Sequence, residues 1–170
     1  MRAALLLAAL LLPLSGCDSG GDADDDGGGS ADGACAEFGF RAGGTITADA
    51  DGQPLRAECY NAFVENGLTF LSGYEVGGSA SDFLLPVTLV IDGETEGTYR
   101  INGPDPGDAS AAQFSFGGAF GGEAASPAES GEIQVTEYSD TRLRGTFSFV
   151  TTSGVTVSDG VFDVDVSGLL

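Results

Sequence analysis

The residues of this chain that could do chemistry are mainly its carboxylates. The 170 residues include 26 aspartates and glutamates and no histidine. Two carboxyl groups are enough for glycoside hydrolysis, and Glu94, Glu96, Asp163 and Asp165 are the candidates for such a pair. Asp163 and Asp165 alternate with apolar residues, however, so their side chains are expected on the solvent face of a strand. We therefore predict no catalytic residues and no enzymatic activity, with a carboxylate-based hydrolase as the second alternative function.

Two aspartate-rich stretches could bind calcium. Asp49-Ala50-Asp51-Gly52 is a possible ligand loop, although Asp-Gly is also common in turns. The stretch from Asp22 to Gly27 matches the first half of an EF-hand loop, but the twelfth position, where a bidentate glutamate is required, is Gly33. The second stretch is better interpreted as a solvated acidic linker. A calcium- or glycan-binding module is thus the first alternative function, while no metal ligand and no cofactor are predicted.

The three cysteines are Cys17, Cys35 and Cys59. Because the chain has no histidine, a cysteine–histidine nucleophile is excluded. If the protein is exported, an oxidising compartment favours a disulfide between Cys35 and Cys59. A zinc site on these two thiols would have to recruit carboxylates and is the weaker alternative.

Export is indicated by the first seventeen residues. The apolar run from Ala3 to Leu14 is shorter than the roughly 20 residues of a membrane-spanning helix and is typical of a signal peptide. It ends in Leu14-Ser15-Gly16-Cys17, which resembles the lipobox of bacterial lipoproteins. The resemblance implies a signal peptide over residues 1–16 and a diacylglyceryl group on the thiol of Cys17. An ordinary secretory signal that ends near a cysteine is the alternative.

Residues 17–33 are rich in glycine and aspartate and contain no large apolar residue, so we predict a disordered, flexible acidic tether. Asp18 resembles the inner-membrane retention signal of enteric lipoproteins. The acidic cluster beyond it resembles the surface-export signal of Bacteroidetes-type lipoproteins, and this second interpretation is favoured. The predicted location is therefore the cell envelope, with the lipid on Cys17 in the outer membrane and the domain exposed at the surface.

The formal net charge of −20 restricts the partners of the protein. All six basic residues are arginines. Such a surface repels the phosphates of nucleic acids and anionic lipid head groups, so neither is expected to bind the domain. The expected membrane contact is the lipid on Cys17, and the sequence does not identify a protein or glycan partner.

Residues 34–170 are predicted to form a single all-β domain, an antiparallel β-sandwich or barrel with hairpin connections. Short alternating runs separated by Gly, Asp and Asn are typical of this class. Asn66-Gly67 predicts a hairpin turn. The apolar run from Phe83 to Ile91 predicts a central strand, with Pro86 at its start or in a bulge. Gln113 to Phe116 is predicted as a strand and Gly117 to Ser130 as a loop.

The last third of the chain predicts strands in register. The predicted inward residues of two neighbouring strands all have odd numbers: Ile133, Val135, Leu143, Gly145, Phe147 and Phe149. Odd positions then face odd positions across a connection of odd length, Ser139-Asp140-Thr141. Further along, Val157 is odd but Phe162 is even, so the alternation shifts by one at Asp159-Gly160. Either a bulge within one strand or a hairpin turn explains this shift.

Two passages resemble a domain of unknown function that is frequent in Bacteroidetes-type lipoproteins. The passage from Asp51 to Ala57 resembles the opening of that domain, and the passage from Gly131 to Val164 resembles its end. The resemblance extends from about Gly43 to Val166 and implies strands and turns but no catalytic residues. We therefore expect a lipid-anchored envelope protein whose β-domain has a non-catalytic binding or structural role.

The charge predicts that salt stabilises the domain. At a formal charge of −20, repulsion between carboxylates opposes the compact state. Salt shortens the Debye length from about 10 Å at 0.1 M to about 3 Å at 1 M, so the midpoint of thermal unfolding should rise in sodium chloride. An unchanged or lower midpoint at the higher salt concentration would show that self-repulsion does not limit stability.

Overall fold

The computed structural model describes residues 31–37, 39–76, 83–103, 110–114 and 126–168. The elements are α1 (Ala31–Glu37), β1 (Thr45–Ala50), β2 (Gln53–Ala57), β3 (Cys59–Glu65), β4 (Leu68–Val76), β5 (Phe83–Asp92), β6 (Gly97–Ile101), β7 (Ala111–Phe114), β8 (Ser126–Tyr138), β9 (Arg142–Thr151) and β10 (Thr156–Asp165). The predicted signal peptide, Cys17 and the tether as far as residue 30 lie outside these ranges. Within the described ranges, no helix is long and apolar enough to span a membrane.

The strands form two antiparallel sheets packed against each other, which confirms the predicted β-sandwich. The large sheet has the order β2-β1-β10-β9-β8-β6, and the small sheet consists of β7, β5, β4 and β3. Side chains from both sheets, including Phe162 and Leu89, meet in one buried core. The chain crosses between the sheets at Glu58, so Leu55 and Ala57 lie on β2 whereas Cys59 begins β3.

The two sheets share strand β8. Its first residues, Ser126 and Pro127, pair with β7, and its later residues pair with β9 on one side and with β6 on the other. Register shifts interrupt its pairing with β9 between Ala128 and Ser130 and again after Val135. Bulges increase strand bending and twist, and these two lie in the strand that passes from one sheet to the other.

The predicted alternation in the last third of the chain is confirmed. Ile133 faces Phe147 and Val135 faces Gly145 across β8 and β9, and all four residues are buried. The inward position 145 is occupied by glycine, because a Cβ atom there would overlap the Gln134 carbonyl oxygen and the Phe162 ring.

The shift at Asp159-Gly160 is a bulge and not a hairpin turn. β10 is one continuous strand in which Val157 pairs with Phe149 and Gly160 pairs with Phe147, so two residues of β10 lie opposite one residue of β9. Asp159 adopts a positive φ of 52°. The bulge therefore lets Val157 and Phe162 enter the same core although their numbers differ in parity.

The predicted hairpin and central strand are also confirmed. Asn66 and Gly67, with φ of 54° and 79°, join β3 to β4, and Glu65 and Leu68 are the paired residues on either side of this turn. β5 lies between β4 and β7 in the small sheet. Its register against β4 shifts where Pro86 occurs, which assigns this proline to a bulge.

Three local predictions differ from the structure. β7 covers Ala111–Phe114 instead of Gln113 to Phe116, and Phe116 lies outside the described residues. β8 already begins at Ser126, so the last five residues of the predicted loop 117–130 form a strand, which the sequence did not reveal because Ser126-Pro127-Ala128 does not alternate. Helix α1, also not predicted, begins three residues before the predicted domain boundary.

The bulge predicts effects of different size for two substitutions at Asp159. Asp159→Val should lower the free energy of unfolding by about 1–2 kcal/mol, because a β-branched residue is disfavoured at positive φ. Asp159→Gly removes the same carboxylate but suits the backbone, so it should change stability by less than about 0.5 kcal/mol. Urea denaturation measures both values. A regular strand at this position would reverse the order, since valine favours strands and glycine does not.

Candidate functional site

The predicted disulfide between Cys35 and Cys59 is present, with the two Cα atoms 5.5 Å apart. It attaches α1 to the first residue of β3. Both cysteines are fully buried in a small cluster with Tyr74, against which the ring of Phe40 stacks at a centroid distance of 4.1 Å. A disulfide that closes a loop of this length stabilises a domain by about 3 kcal/mol in loop-entropy models.

The outward face of the large sheet carries four of the six arginines: Arg56, Arg100, Arg142 and Arg144. The alternation of the strands explains their position, since each follows or precedes a buried inward residue. In a protein with a net charge of −20, this face is the main place where carboxylates can find guanidinium partners.

Asp163 is held by two arginines. Arg142 Nε and Nη2 donate to its two carboxylate oxygens at 2.8 Å each, and Arg144 Nη2 donates at 2.7 Å. The hydrogen bonds from Arg142 have the largest effect on the pKa of Asp163, and with the further effect of Arg144 they lower it from 3.8 to about 2, although desolvation opposes this shift. A carboxylate that stays ionised and accepts several charged hydrogen bonds cannot act as a general acid near neutral pH.

Asp165, two residues further along β10, has partners at the end of the sandwich. Arg41 Nη1 lies 3.6 Å from its Oδ1 atom, and the Ser167 amide donates to the same atom at 2.7 Å. Hydrogen bonds from Ser167 lower the pKa of Asp165 below its ordinary value, with a smaller contribution from Arg41. Both aspartates line an open groove of 430 Å³ together with Arg142 and Thr45.

Glu94 and Glu96 do not join these aspartates. Both are exposed in the connection between β5 and β6. Three strand spacings, or about 14 Å, separate β6 from β10, which exceeds the separation of about 6.5–9.5 Å in inverting glycosidases. Neither glutamate therefore forms a carboxylate pair with Asp163 or Asp165 across a cleft.

The candidate calcium loop uses its carboxylates to hold backbone groups. Asp49 Oδ1 accepts a hydrogen bond of 2.6 Å from the Gly52 amide, and Asp51 Oδ1 accepts one of 3.0 Å from the Thr156 amide. These bonds fix the turn between β1 and β2 and tie it to β10. Across the described ranges, no group of three or more histidine, cysteine, aspartate or glutamate residues could hold a metal ion. The acidic stretch from Asp22 to Gly27 lies outside those ranges.

The double ion pair on Asp163 was not predicted from the sequence. The alternation in the sequence predicted a solvent-facing side chain for Asp163, which is correct, but it did not pair β9 with β10. Register would have supplied the signal, because Arg144 lies directly opposite Asp163 in the antiparallel pair. That register depends on the bulge at Asp159, so the sequence alone left it open.

The ion pair predicts a pH-dependent contribution to stability. Asp163→Asn should lower the free energy of unfolding by about 1 kcal/mol near neutral pH, a value reduced for the exposure of the two arginines. Because the folded-state pKa of Asp163 is depressed to about 2, the contribution is complete above the ordinary value of 3.8 and is lost as the pH falls through about 2. The difference in the free energy of unfolding between wild type and Asp163→Asn should therefore decrease below pH 3.8 and disappear as the pH falls through about 2.

Asp140→Asn is the matched control. It removes one exposed carboxylate for which the described part of the chain supplies no ion-pair partner. This variant reports the effect of lowering the net charge alone, measured by urea denaturation over the same pH range. Equal losses from both substitutions would contradict the role assigned to the Asp163 ion pairs.

Comparison with known proteins places the chain in a family. No curated protein and no solved structure matches it. A family model, a domain of unknown function designated DUF6252, matches residues 43–164. This range begins just before β1 and ends one residue before the end of β10, and it agrees closely with the extent predicted from the sequence. The chain therefore belongs to the DUF6252 family.

Proposed function

We propose that this protein is a lipid-anchored envelope protein that displays its β-domain outside the cytoplasm, where the domain has a non-catalytic binding or structural role. The observation that carries the proposal is the disulfide between Cys35 and Cys59. Disulfides persist mainly in oxidising compartments outside the cytosol. This location agrees with the apolar run and the lipobox-like sequence that ends at Cys17.

The arrangement of the carboxylates supports a role without catalysis. Asp163 and Asp165 are engaged by arginines, and Asp49 and Asp51 hold backbone amides. Activation of water by a carboxylate requires a group that can exchange a proton near the working pH. The low pKa of Asp163 does not suit this task.

The position of α1 suits a tethered domain. From Cys17 to the residue before α1 the chain has 14 residues (30 − 16), which as a flexible glycine-rich linker have a root-mean-square length of about 20 Å. The disulfide attaches α1 to the small sheet, so the proposed tether would leave the domain from a covalently fixed point. The acidic cluster within the tether favours the outer membrane and surface exposure as the location.

The proposal predicts that Cys17 is the lipidated residue. Cys17→Ser should abolish labelling by an alkyne analogue of palmitate and leave unprocessed precursor, because the acyl acceptor is the thiol and cleavage follows its modification. Cys35→Ser is the matched control and should leave labelling unchanged. Gel fluorescence after click chemistry and the mass of the N-terminal peptide are the measurements. Equal labelling of wild type and Cys17→Ser would refute lipid anchoring at this site.

A further inference from the structure

The outward face of the small sheet has a defined boundary at each end. At one end, α1 and the disulfide cover Cys59 and Tyr74, which are register partners on β3 and β4. At the other end lies the turn after Glu65. Two rows of side chains cross the sheet between these boundaries, because residues two apart on a strand point to the same side.

The row nearer the turn is apolar. Phe63 on β3 pairs with Phe70 on β4, and Phe70 pairs with Val90 on β5. The rings of Phe63 and Phe70 stack with centroids 4.7 Å apart and planes within 6°. Val90 is buried, whereas Phe63 is 39% exposed. The accessible part of this row is therefore an aromatic pair at the edge of the sheet.

One face of the Phe63 ring is available to a ligand. Phe70 occupies the opposite face through the stacking contact. β3 is the last strand of the small sheet, and among the residues that the structure describes, the segment at Arg41 pairs with it at Tyr60 alone. The free ring face is thus directed toward the open edge of the sheet.

The second row is polar and uncharged. It consists of Asn61, Ser72 and Thr88, which are register partners on β3, β4 and β5 and are all half-exposed. The hydroxyl oxygens of Ser72 and Thr88 lie 3.1 Å apart. Within the described residues, the amide of Asn61 has no hydrogen-bond partner. An amide with free donors and acceptors therefore lies two residues from the exposed ring, about 7 Å along the same strand.

These two rows contain no charged residue, although the protein carries a net charge of −20. Glu65 and Asp92 border these rows at the turn end. The outward face of the large sheet differs, since Arg142 and Arg144 form ion pairs with Asp163 there. The two rows themselves therefore contain no charged group that could form an ion pair with a ligand.

We infer that the outward face of the small sheet binds a neutral glycan, with Phe63 stacking on a sugar ring and Asn61 binding its hydroxyls. The C–H groups of a sugar ring carry a partial positive charge, which the negative face of an aromatic ring attracts. The amide of Asn61 can both donate to and accept from hydroxyl groups. The inference deepens the proposed function, because it names the class of partner that the displayed domain would bind.

A second copy of the chain fits this face less well. Two chains that each carry a net charge of −20 repel each other, and an aromatic pair with one exposed ring provides little apolar area to offset that repulsion. A nucleic acid or an acidic polysaccharide meets the same repulsion. A neutral polysaccharide avoids this cost and supplies both the apolar and the hydroxyl groups that the two rows match.

Affinity electrophoresis tests the inference on the full-length chain, exported and solubilised in a non-ionic detergent. Native gels contain soluble starch, xyloglucan or a β-1,3-glucan as neutral probes, and alginate as an acidic probe. The acidic chain migrates toward the anode, and we expect at least one neutral glycan to retard it whereas alginate does not. Phe63→Ala should weaken this binding by about two- to tenfold, and Asn61→Ala should also weaken it.

Two further variants make the result specific. Val161→Ala is the matched control, because Val161 is equally exposed at 39% but lies on the large sheet, and it should bind as the wild type does. Phe63→Leu keeps an apolar side chain without an aromatic face and should bind as weakly as Phe63→Ala. Circular dichroism and the absence of free Cys35 and Cys59 thiols verify that each variant is folded.

Several outcomes would overturn the inference: no retardation by any of the three neutral glycans, equal retardation by alginate, or full binding by folded Phe63→Leu. Self-association in sedimentation velocity that Phe63→Ala abolishes would assign the face to a second copy instead. The binding assay does not depend on whether Cys17 carries a lipid. Failure of the lipid anchor and failure of glycan binding are therefore distinguishable.

Discussion

The backbone pairing of β8 is the constraint on which the sandwich depends. This strand of 13 residues pairs with β7 at its start and with β6 and β9 further along, so it belongs to both sheets. Buried backbone groups must find hydrogen-bond partners, and the single strand β8 supplies such partners to neighbouring strands in both sheets. The inward residues Ala128 and Ile133 lie in one core as a result. Loss of the pairing between β7 and β8 would remove this backbone connection between the sheets.

The sequence predicted the parts of the fold in which neighbouring residues alternate. Inward and outward positions of β8 and β9 follow from the period of two in Ile133, Val135 and Leu143 to Phe149, and the Asn66-Gly67 turn follows from its requirement for positive φ. The start of β8 was missed because its first residues do not alternate. Helix α1 was missed because seven residues are too few to show a helical period, and the disulfide, more than its own composition, holds it on the sheet.

The candidate site was less predictable than the fold, because it depends on register. The sequence identified the carboxylates of β10 and their solvent-facing side but not their arginine partners on β9. The exposed stack of Phe63 and Phe70 requires both strands of a hairpin in a known alignment. Phe63, Phe70 and Val90 are all apolar, but Phe63 is more exposed than the other two. The sequence does not distinguish them, because this difference depends on how the strands pack.

The disulfide determines how the domain responds to mechanical force. Tension applied through the residues that precede α1 reaches Cys35 and passes through the sulfur atoms directly to Cys59 at the start of β3. The intervening chain, which includes β1 and β2, carries none of this tension. Without the bond, the same pull would reach β1 first and act on its pairing with β10. With the proposed lipid anchor at one end and the inferred ligand on the small sheet at the other, the load would pass through the small sheet, and the large sheet with its ion pairs would lie outside this path.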